Sequence, residues 1–255
     1  MSLSSFSSMG NYLGTIGVAS EVPNPARDVI SNTGLVYYYG LETADQSGAT
    51  MKNNKSGGTN DLTLVGTPTI STSIFKCGGA SLSTHTGKYA SLTNNTNFFS
   101  TDMSLAFWFR VVSIPAVDTY GSLGTCMTGA SGYNWFTQMA RNANGTTFDL
   151  GIWMYAGANS SHSISGSTLT YNTWYHIAFV KTGSTNGNLR IYLNNNVVVN
   201  VTTSSNLTNN GTAKFHLGID IAQPTHVING NIDDYRIYQR ALTAGEITTL
   251  FNNTL

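Results

Sequence analysis

The chain has 255 residues, of which 40% are hydrophobic and 11% aromatic, enough for one large domain that folds on its own core. Only 9% are charged, and twelve Lys and Arg balance twelve Asp and Glu to a formal net charge of zero, against roughly 25% charged residues in an average soluble protein. These figures exclude a basic nucleic-acid surface, a polybasic membrane patch and disorder driven by charge excess. Solubility has to come from Asn, Thr, Ser and Gly, a surface that suits a protein fixed in an assembly or displayed outside a cell.

Residues 1–33 read as an extended arm. Residues 2–11 are small and polar apart from Leu3, Phe6 and Met9, and Pro23 and Pro25 bracket Asn24 where helix is disfavoured. The segment is either a tail or an arm that docks on a neighbouring subunit. It lacks the basic start and unbroken apolar run of a secretion signal, and nowhere does the chain approach the eighteen or so apolar residues of a membrane helix. The expectation is a protein made in a cytoplasm. Cys77 and Cys126 leave one disulfide open but do not make a disulfide-built scaffold.

From Gly34 onward the pattern is β. Strands are expected over 35–39, 88–92, 104–112, 133–139, 148–155 and 174–180, then a hairpin of 189–193 and 197–201 turned by an Asn run, then 214–218 and 231–238. In 104–112 the period of two puts Leu105, Phe107, Phe109 and Val111 on one face and Ala106, Trp108 and Arg110 on the other. One helix is expected at the end, where Thr243-Ala-Gly-Glu246 forms a capping box ahead of Ile247, Leu250 and Phe251. The fold class is all-β: a two-sheet antiparallel β-sandwich (jelly roll) over residues 34–255, with a short C-terminal helix and an extended N-terminal arm.

Several segments carry a family likeness. Gly34–Glu42 opens as a strand ending in an acid, and Asn54–Thr63 reads Asn-Lys-Ser-Gly-Gly-Thr-Asn-Asp-Leu-Thr. Ser104–Arg110 reads Ser-Leu-Ala-Phe-Trp-Phe-Arg, Asn172–Val180 carries Trp-Tyr-His, and Gly230–Ile247 runs through Asn-Ile-Asp-Asp-Tyr-Arg-Ile-Tyr. Together, in this order, they resemble the laminin-G-like, concanavalin-A-like lectin domains of the bacterial and viral branch. That resemblance implies a sandwich put to many uses, among them carbohydrate recognition, adhesion and virion surfaces, so the fold alone does not fix the function.

Related sandwiches that cleave glycans need two carboxylates flanking the scissile bond. The chain has only Glu21, Glu42 and Glu246, no two on one expected strand, while adjacent Asp233 and Asp234 are expected on opposite faces. The five His are scattered singly. No enzyme is expected. The resemblance brings the Asn54–Asp61 loop to the strand of Asp233, where Glu42, Asn54, Asn60, Asp61 and Asp233 would supply oxygens to a structural Ca²⁺. Asn54 in place of an acid and Lys55 beside it weaken that site, and the alternative is a calcium-free turn held by Asx hydrogen bonds. For a sugar, a platform of exposed aromatics beside amides and hydroxyls is needed. The loops around 118–122, 131–135 and 155–162 offer Tyr120, Tyr133, Trp135 and His162.

Two functions stay open. One is a non-enzymatic virion or appendage surface protein, a capsid decoration or tail or fibre component assembled in a host cytoplasm. It would contact glycans of a host surface or neighbouring subunits through the arm, as part of an oligomer or lattice, with neither nucleic acid nor membrane as partner. The other is a free carbohydrate-binding lectin module with a structural calcium.

Overall fold

This computed structural model describes residues 29–253 apart from 56–58, 96–100, 115–119, 129–131, 143, 157, 184–186 and 204–212; for 93–95, 127–128, 132–134, 136, 152–156, 158–168, 203 and 213 it describes the backbone alone. The arm's first 28 residues therefore lie outside the described residues.

Alternating apolar and polar residues give the strands, and the turns between them fall at Gly and Asn. In chain order the strands are β1 (Leu35–Tyr39), β2 (Gln46–Ser47), β3 (Thr50–Met51), β4 (Leu62–Val65), β5 (Thr69–Ser71), β6 (Ser81–Thr84), β7 (Tyr89–Asn95), β8 (Met103–Ser113), β9 (Tyr120–Gly121) and β10 (Gly124–Thr128). They continue with β11 (Gly132–Arg141), β12 (Thr147–Ala156), β13 (Ala158–Thr170), β14 (Trp174–Thr182), β15 (Gly187–Leu193), β16 (Asn196–Thr203), β17 (Ala213–Leu217), β18 (Ile219–Asp220), β19 (Gln223–Val227) and β20 (Asn229–Tyr238). One sheet runs β16-β15-β14-β8-β20-β6-β5 with β1 also on β20, and the other runs β13-β12-β11-β10-β17-β7-β4-β3-β2 with β9 on β11. The expected antiparallel sandwich is the one observed. The β15–β16 turn is made by Asn194 and Asn195 at φ 47° and 67°, the left-handed pair that a two-residue hairpin requires.

The sheets face each other across Leu105, Phe107, Phe109 and Val111 of β8, Tyr175, Ile177 and Phe179 of β14, Tyr235 of β20, and Trp135, Phe148 and Phe215 of the opposite sheet. The face expected for β8 is thus the one between the sheets, while Ala106 and Trp108 on its other face are buried under the C-terminal segment. Cys126 sits in this layer and Cys77 elsewhere, and no disulfide joins them.

A second apolar cluster lies on the outer side of the first sheet. Tyr38, Ala106, Ala178, Val180, Tyr192 and Tyr238 are covered there by Leu242, Ile247 and Leu250 of the C-terminal segment and by Ile30. Helix α1 (Ala244–Asn252) starts at the expected capping box: the Glu246 N–H donates to Thr243 Oγ1 at 3.2 Å, and the Thr243 N–H to Glu246 Oε2 at 2.9 Å. Phe251 stacks on Trp108, with centroids 5.6 Å apart, and so fixes the far end of the helix. Arg240 ties both ends of the described chain together. Its guanidinium bonds Glu246 at 2.6 and 2.9 Å and donates to the carbonyls of Thr33 and Ser31 at 2.6 and 3.2 Å. Residues 29–33, read from sequence as the end of the arm, are held against the sandwich by these contacts.

Candidate functional site

Four of the five residues expected to hold calcium gather around the end of β1, in a knit of Asx hydrogen bonds. Asn53 Oδ1 accepts from the Tyr38 N–H at 3.1 Å, and Asn54 Oδ1 accepts from the Gly40 N–H at 2.9 Å. Asn54 Nδ2 donates to Asp45 Oδ1 at 2.7 Å, and Asp61 Oδ1 accepts from the Asn53 N–H at 2.8 Å. Asn60, at φ 61°, offers its carbonyl to the Tyr39 hydroxyl at 2.7 Å. Glu42 reaches the other way: its carboxylate accepts from the Gly79 N–H at 3.0 and 3.2 Å. Gly78 is at φ +63° with the Glu42 carboxylate where a Cβ would stand, so glycine is required there.

Calcium takes six to eight oxygens. In this rim the carboxylates of Glu42 and Asp61 and the amide oxygen of Asn54 face backbone N–H donors, the opposite of what a cation wants. Among the described residues no three His, Cys, Asp or Glu side chains converge as a metal group would need. As arranged, the described residues do not fit the ion.

The fifth residue, Asp233, lies farther along β20 and is fully buried. Its Oδ2 accepts from the Lys76 and Cys77 N–H groups at 2.7 and 2.9 Å, while Oδ1 has no hydrogen-bond partner. Burial pushes its carboxyl up to about 8, against the pull of those two N–H donors. The expectation that Asp233 and Asp234 face opposite ways is corrected here. Asp233 pairs with Trp108 and Arg236 with Ala106, so β20 carries one residue more than β8, and Asp234 takes it up at φ 49°. This bulge lies between Ile232 and Tyr235, both in the inter-sheet core, and leaves both acids outside that layer. There Asp234 binds Arg236 in a fork of 2.9 to 3.1 Å. The Arg236 guanidinium is buried and lies 4.2 Å above the Tyr38 ring. With Asp233 0% and Asp234 2% exposed, no substrate reaches either acid.

The expected sugar platform divides. Trp135 is not on it: the ring is 4% exposed and packs between Phe179 and Phe215, because the alternation of β11 turns Trp135, Thr137 and Met139 inward. Residues 132–135, of which 133–135 fell in an expected strand, belong to β11, and among the described residues 155–162 lie in β12 and β13, which pair antiparallel. Tyr133 pairs with Met127 and His162 with Ile152 in backbone register; their side chains lie outside the described residues. Tyr120 is 40% exposed, and the His226 ring meets it edge-on at 5.5 Å. Phe75 is the other exposed aromatic ring among the described residues, but no described ring braces it.

The same end of the sandwich holds features the sequence reading missed. Tyr120 pairs with Ala140, next to Arg141. Arg141 lines a cavity of about 160 Å³ with Val112, Ser113, Ile114, Gly145 and Tyr171. His226 and Arg141 stand 85 residues apart in sequence, and neither sits in a motif that marks it. A larger hollow of about 390 Å³ opens beside the start of β1 between Lys55, Asn60 and Gln239.

Solved structures with the same architecture span several settings. The binding domain of Paraclostridial Mosquitocidal Protein 1 superposes with a TM-score of 0.64 at 19% identity, over 86% of this chain and 52% of that one. This chain thus spans about half its length. Domain 4 of AbnA, a GH43 extracellular arabinanase from Geobacillus stearothermophilus solved with arabinotriose, gives 0.63 at 18%, over 86% and 98% of the two chains. A botulinum neurotoxin type C structure concerned with ganglioside-dependent cell entry gives 0.61 at 14%, over 87% and 52%. At these identities the likeness is one of fold. No curated protein matches the chain. A family model does match, over residues 84–248, from β6 into α1. On that match, which takes in most of the sandwich described above, the chain belongs to the concanavalin A-like lectin/glucanases superfamily.

Proposed function

We propose that this protein is a non-enzymatic carbohydrate-binding module that takes glycans at the sandwich end carrying Tyr120. The observation that carries the reading is the exposed Tyr120 ring, braced by His226 and so presented at little entropic cost, the geometry by which aromatic faces take up sugar rings. Strand β19 beside it exposes the polar, uncharged Gln223 and Thr225. The relatives lend weight, since the superposed structures include toxin binding domains and an arabinanase domain bound to arabinotriose.

A hydrolase is disfavoured by where the acids sit. Asp233 and Asp234 are sealed under the C-terminal segment, Glu246 is clamped by Arg240, and Glu42 holds the Gly79 N–H. Two carboxylates flanking an open groove, which glycoside cleavage needs, are not assembled from these residues.

The wider setting we assign is the surface of a virion or appendage. The low charge of the chain and the exposed Ile74–Phe75 pair, an apolar spot suited to a neighbouring subunit, favour it. Finding the protein in purified particles tests that setting. A glycan array with the wild type and Tyr120→Ala tests the binding itself: selective glycan signals that the variant loses are expected. A wild-type protein that binds no glycan overturns the reading.

A further inference from the structure

Each sheet of the sandwich has one short end and one long one. Along its path the first sheet ends in the three-residue β5 and the second in the two-residue β2, and shortness is one way a protein blunts an edge. The opposite ends are β16, with eight residues, and β13, with thirteen. Neither strand holds an Asp, Glu, Lys, Arg or Pro, so both lack the charges and prolines that guard a long edge. The two run close together, on one side of the sandwich. Among the described residues no strand pairs with the outer edge of β16.

Strand β16 also shows apolar side chains. Val197 is 51% exposed, more than any other large hydrophobic residue among those described. Val198, Val199 and Val201 are half-buried at the margin of the core. The bulge at Val198 leaves 199–203 in unbroken register with 187–191 of β15. In that stretch Val199 and Val201 face the core with Ile191 and Leu189, and Asn200 faces outward with Arg190. Asn200 Oδ1 accepts from Asn188 Nδ2 at 2.9 Å, while its own amide N–H groups donate to no described residue.

We infer that β16 pairs with β16 of a second copy of this chain, antiparallel about a two-fold axis at Asn200, so that the first sheets of the two copies run on as one. An axis perpendicular to the sheet keeps the two inner faces on one side, which requires residues of the same face to stand opposite each other. The register centred on Asn200 does this: Val199 stands opposite Val201 of the second copy, and Asn200 opposite Asn200. Side-chain amides so placed can hydrogen-bond across the axis. Charge favours an identical partner as well. The edge carries none, and the two Arg190 residues stand three strand spacings apart, roughly 14 Å, beyond the screening length of about 8 Å in physiological salt. The pairing is independent of the glycan reading, though it sets two Tyr120 surfaces on one particle, where weak contacts reinforce each other through effective concentration.

Sedimentation velocity on the full chain tests this. A species of twice the 27.3 kDa chain mass is expected in the micromolar range. Asn200→Lys and Asn200→Asp each set like charges across the axis and are expected to weaken the dimer roughly a hundredfold or more. Their melting temperatures are expected to stay close to that of the wild type, since Asn200 is exposed. Mixing the two variants is expected to restore the dimer, because opposite charges then meet. Phe75→Lys, at the other exposed apolar spot, is expected to leave the dimer intact. A monomeric wild type, a dimer that survives both charge variants, or variants that stay monomeric when mixed overturn the inference. Loss of the dimer in Phe75→Lys also overturns it, by moving the interface to the Ile74–Phe75 spot. None of these outcomes touches the glycan reading, which the array tests separately.

Discussion

Replacing Asp234 by Asn tests the buried ion pair that the β20 bulge creates. Asn tolerates the left-handed backbone at this position, so Asp234→Asn removes the charge without adding strain. What remains is a guanidinium whose side chain is 0% exposed, opposite an acid side chain that was 3% exposed, with three bonds of 2.9 to 3.1 Å reduced to what an amide can accept. Breaking a buried pair in this way costs about 3–5 kcal/mol, a large share of the 5–15 kcal/mol that typically holds a domain folded. Equilibrium urea unfolding followed by Trp fluorescence reads it, and Trp108, stacked on Phe251 beneath α1, is well placed to report. The midpoint is expected to fall by about 1–2 M urea. Adding Arg236→Met to the D234N background removes the stranded charge and is expected to recover part of the loss. A loss below about 1 kcal/mol, or a further fall on adding Arg236→Met, would refute the account of a desolvated charge pair.

Three more outcomes follow from the same structure. Asp233 has a folded pKa raised to about 8, so its contribution is complete below the ordinary carboxylate range and is lost as pH climbs through 8; His176 and His216, pushed down to about 4 by burial, act oppositely as pH rises through the ordinary imidazole range, an effect that is small by about pH 7.5. Stability between pH 7 and 8 is expected to fall with a slope of up to about 1.4 kcal/mol per pH unit, and Asp233→Asn to flatten it; an equal slope in the variant would count against the assignment. Trp135→Ala is expected to cost about 3–5 kcal/mol as a core truncation, whereas Tyr120→Ala stays within about 0.5 kcal/mol; chemical denaturation distinguishes them, and the reverse order would move Trp135 back to the surface. Calcium at millimolar levels, or a chelator, is expected to leave the melting temperature unchanged, because the rim's carboxylates already accept backbone N–H groups; a rise of several degrees with calcium would assign an ion to that rim.

The strands that were legible in sequence are those whose side chains carry the signal. β8 and β14 alternate large apolar residues with smaller or polar ones, the Asn194–Asn195 turn announces its hairpin, and Thr243 with Glu246 announces the helix. β13 was not legible. It is an edge strand of Ser, Asn and Thr, paired by its main chain to β12 on one side only, and main-chain pairing leaves no mark in composition. The three-residue edge strand β5 hid for a similar reason, whereas β4, paired on both sides, was missed because four residues give too short an alternation. The bulge at Asp234 escaped notice because it is an offset between β20 and β8, which neither strand shows alone. As to the candidate site, Glu42, Asn54, Asn60 and Asp61 do gather near the end of β1 with Asx hydrogen bonds among them, one of the two alternatives read from sequence, and Tyr120 is exposed. Trp135 was misplaced because, although it fell inside the strand expected over 133–139, the inward face it takes in β11 was not assigned, and Arg141 and His226 come to this end only through the sheet register.

The Arg240 clamp has a mechanical consequence. Val29 and helix α1, through Ile247 and Leu250, sit on one side of the first sheet, and β1 meets β20 with Leu35 opposite Tyr238. Tension applied between these two points would load the pairing at one end and part it rung by rung, the compliant geometry of an opening zipper, rather than shear all rungs at once. The guanidinium that bridges Ser31, Thr33 and Glu246 is the latch at the head of that zipper. A pull on the chain would meet it before reaching the sheets, and Arg240→Ala would lower the force at which the first strand peels away while leaving the sandwich interior untouched.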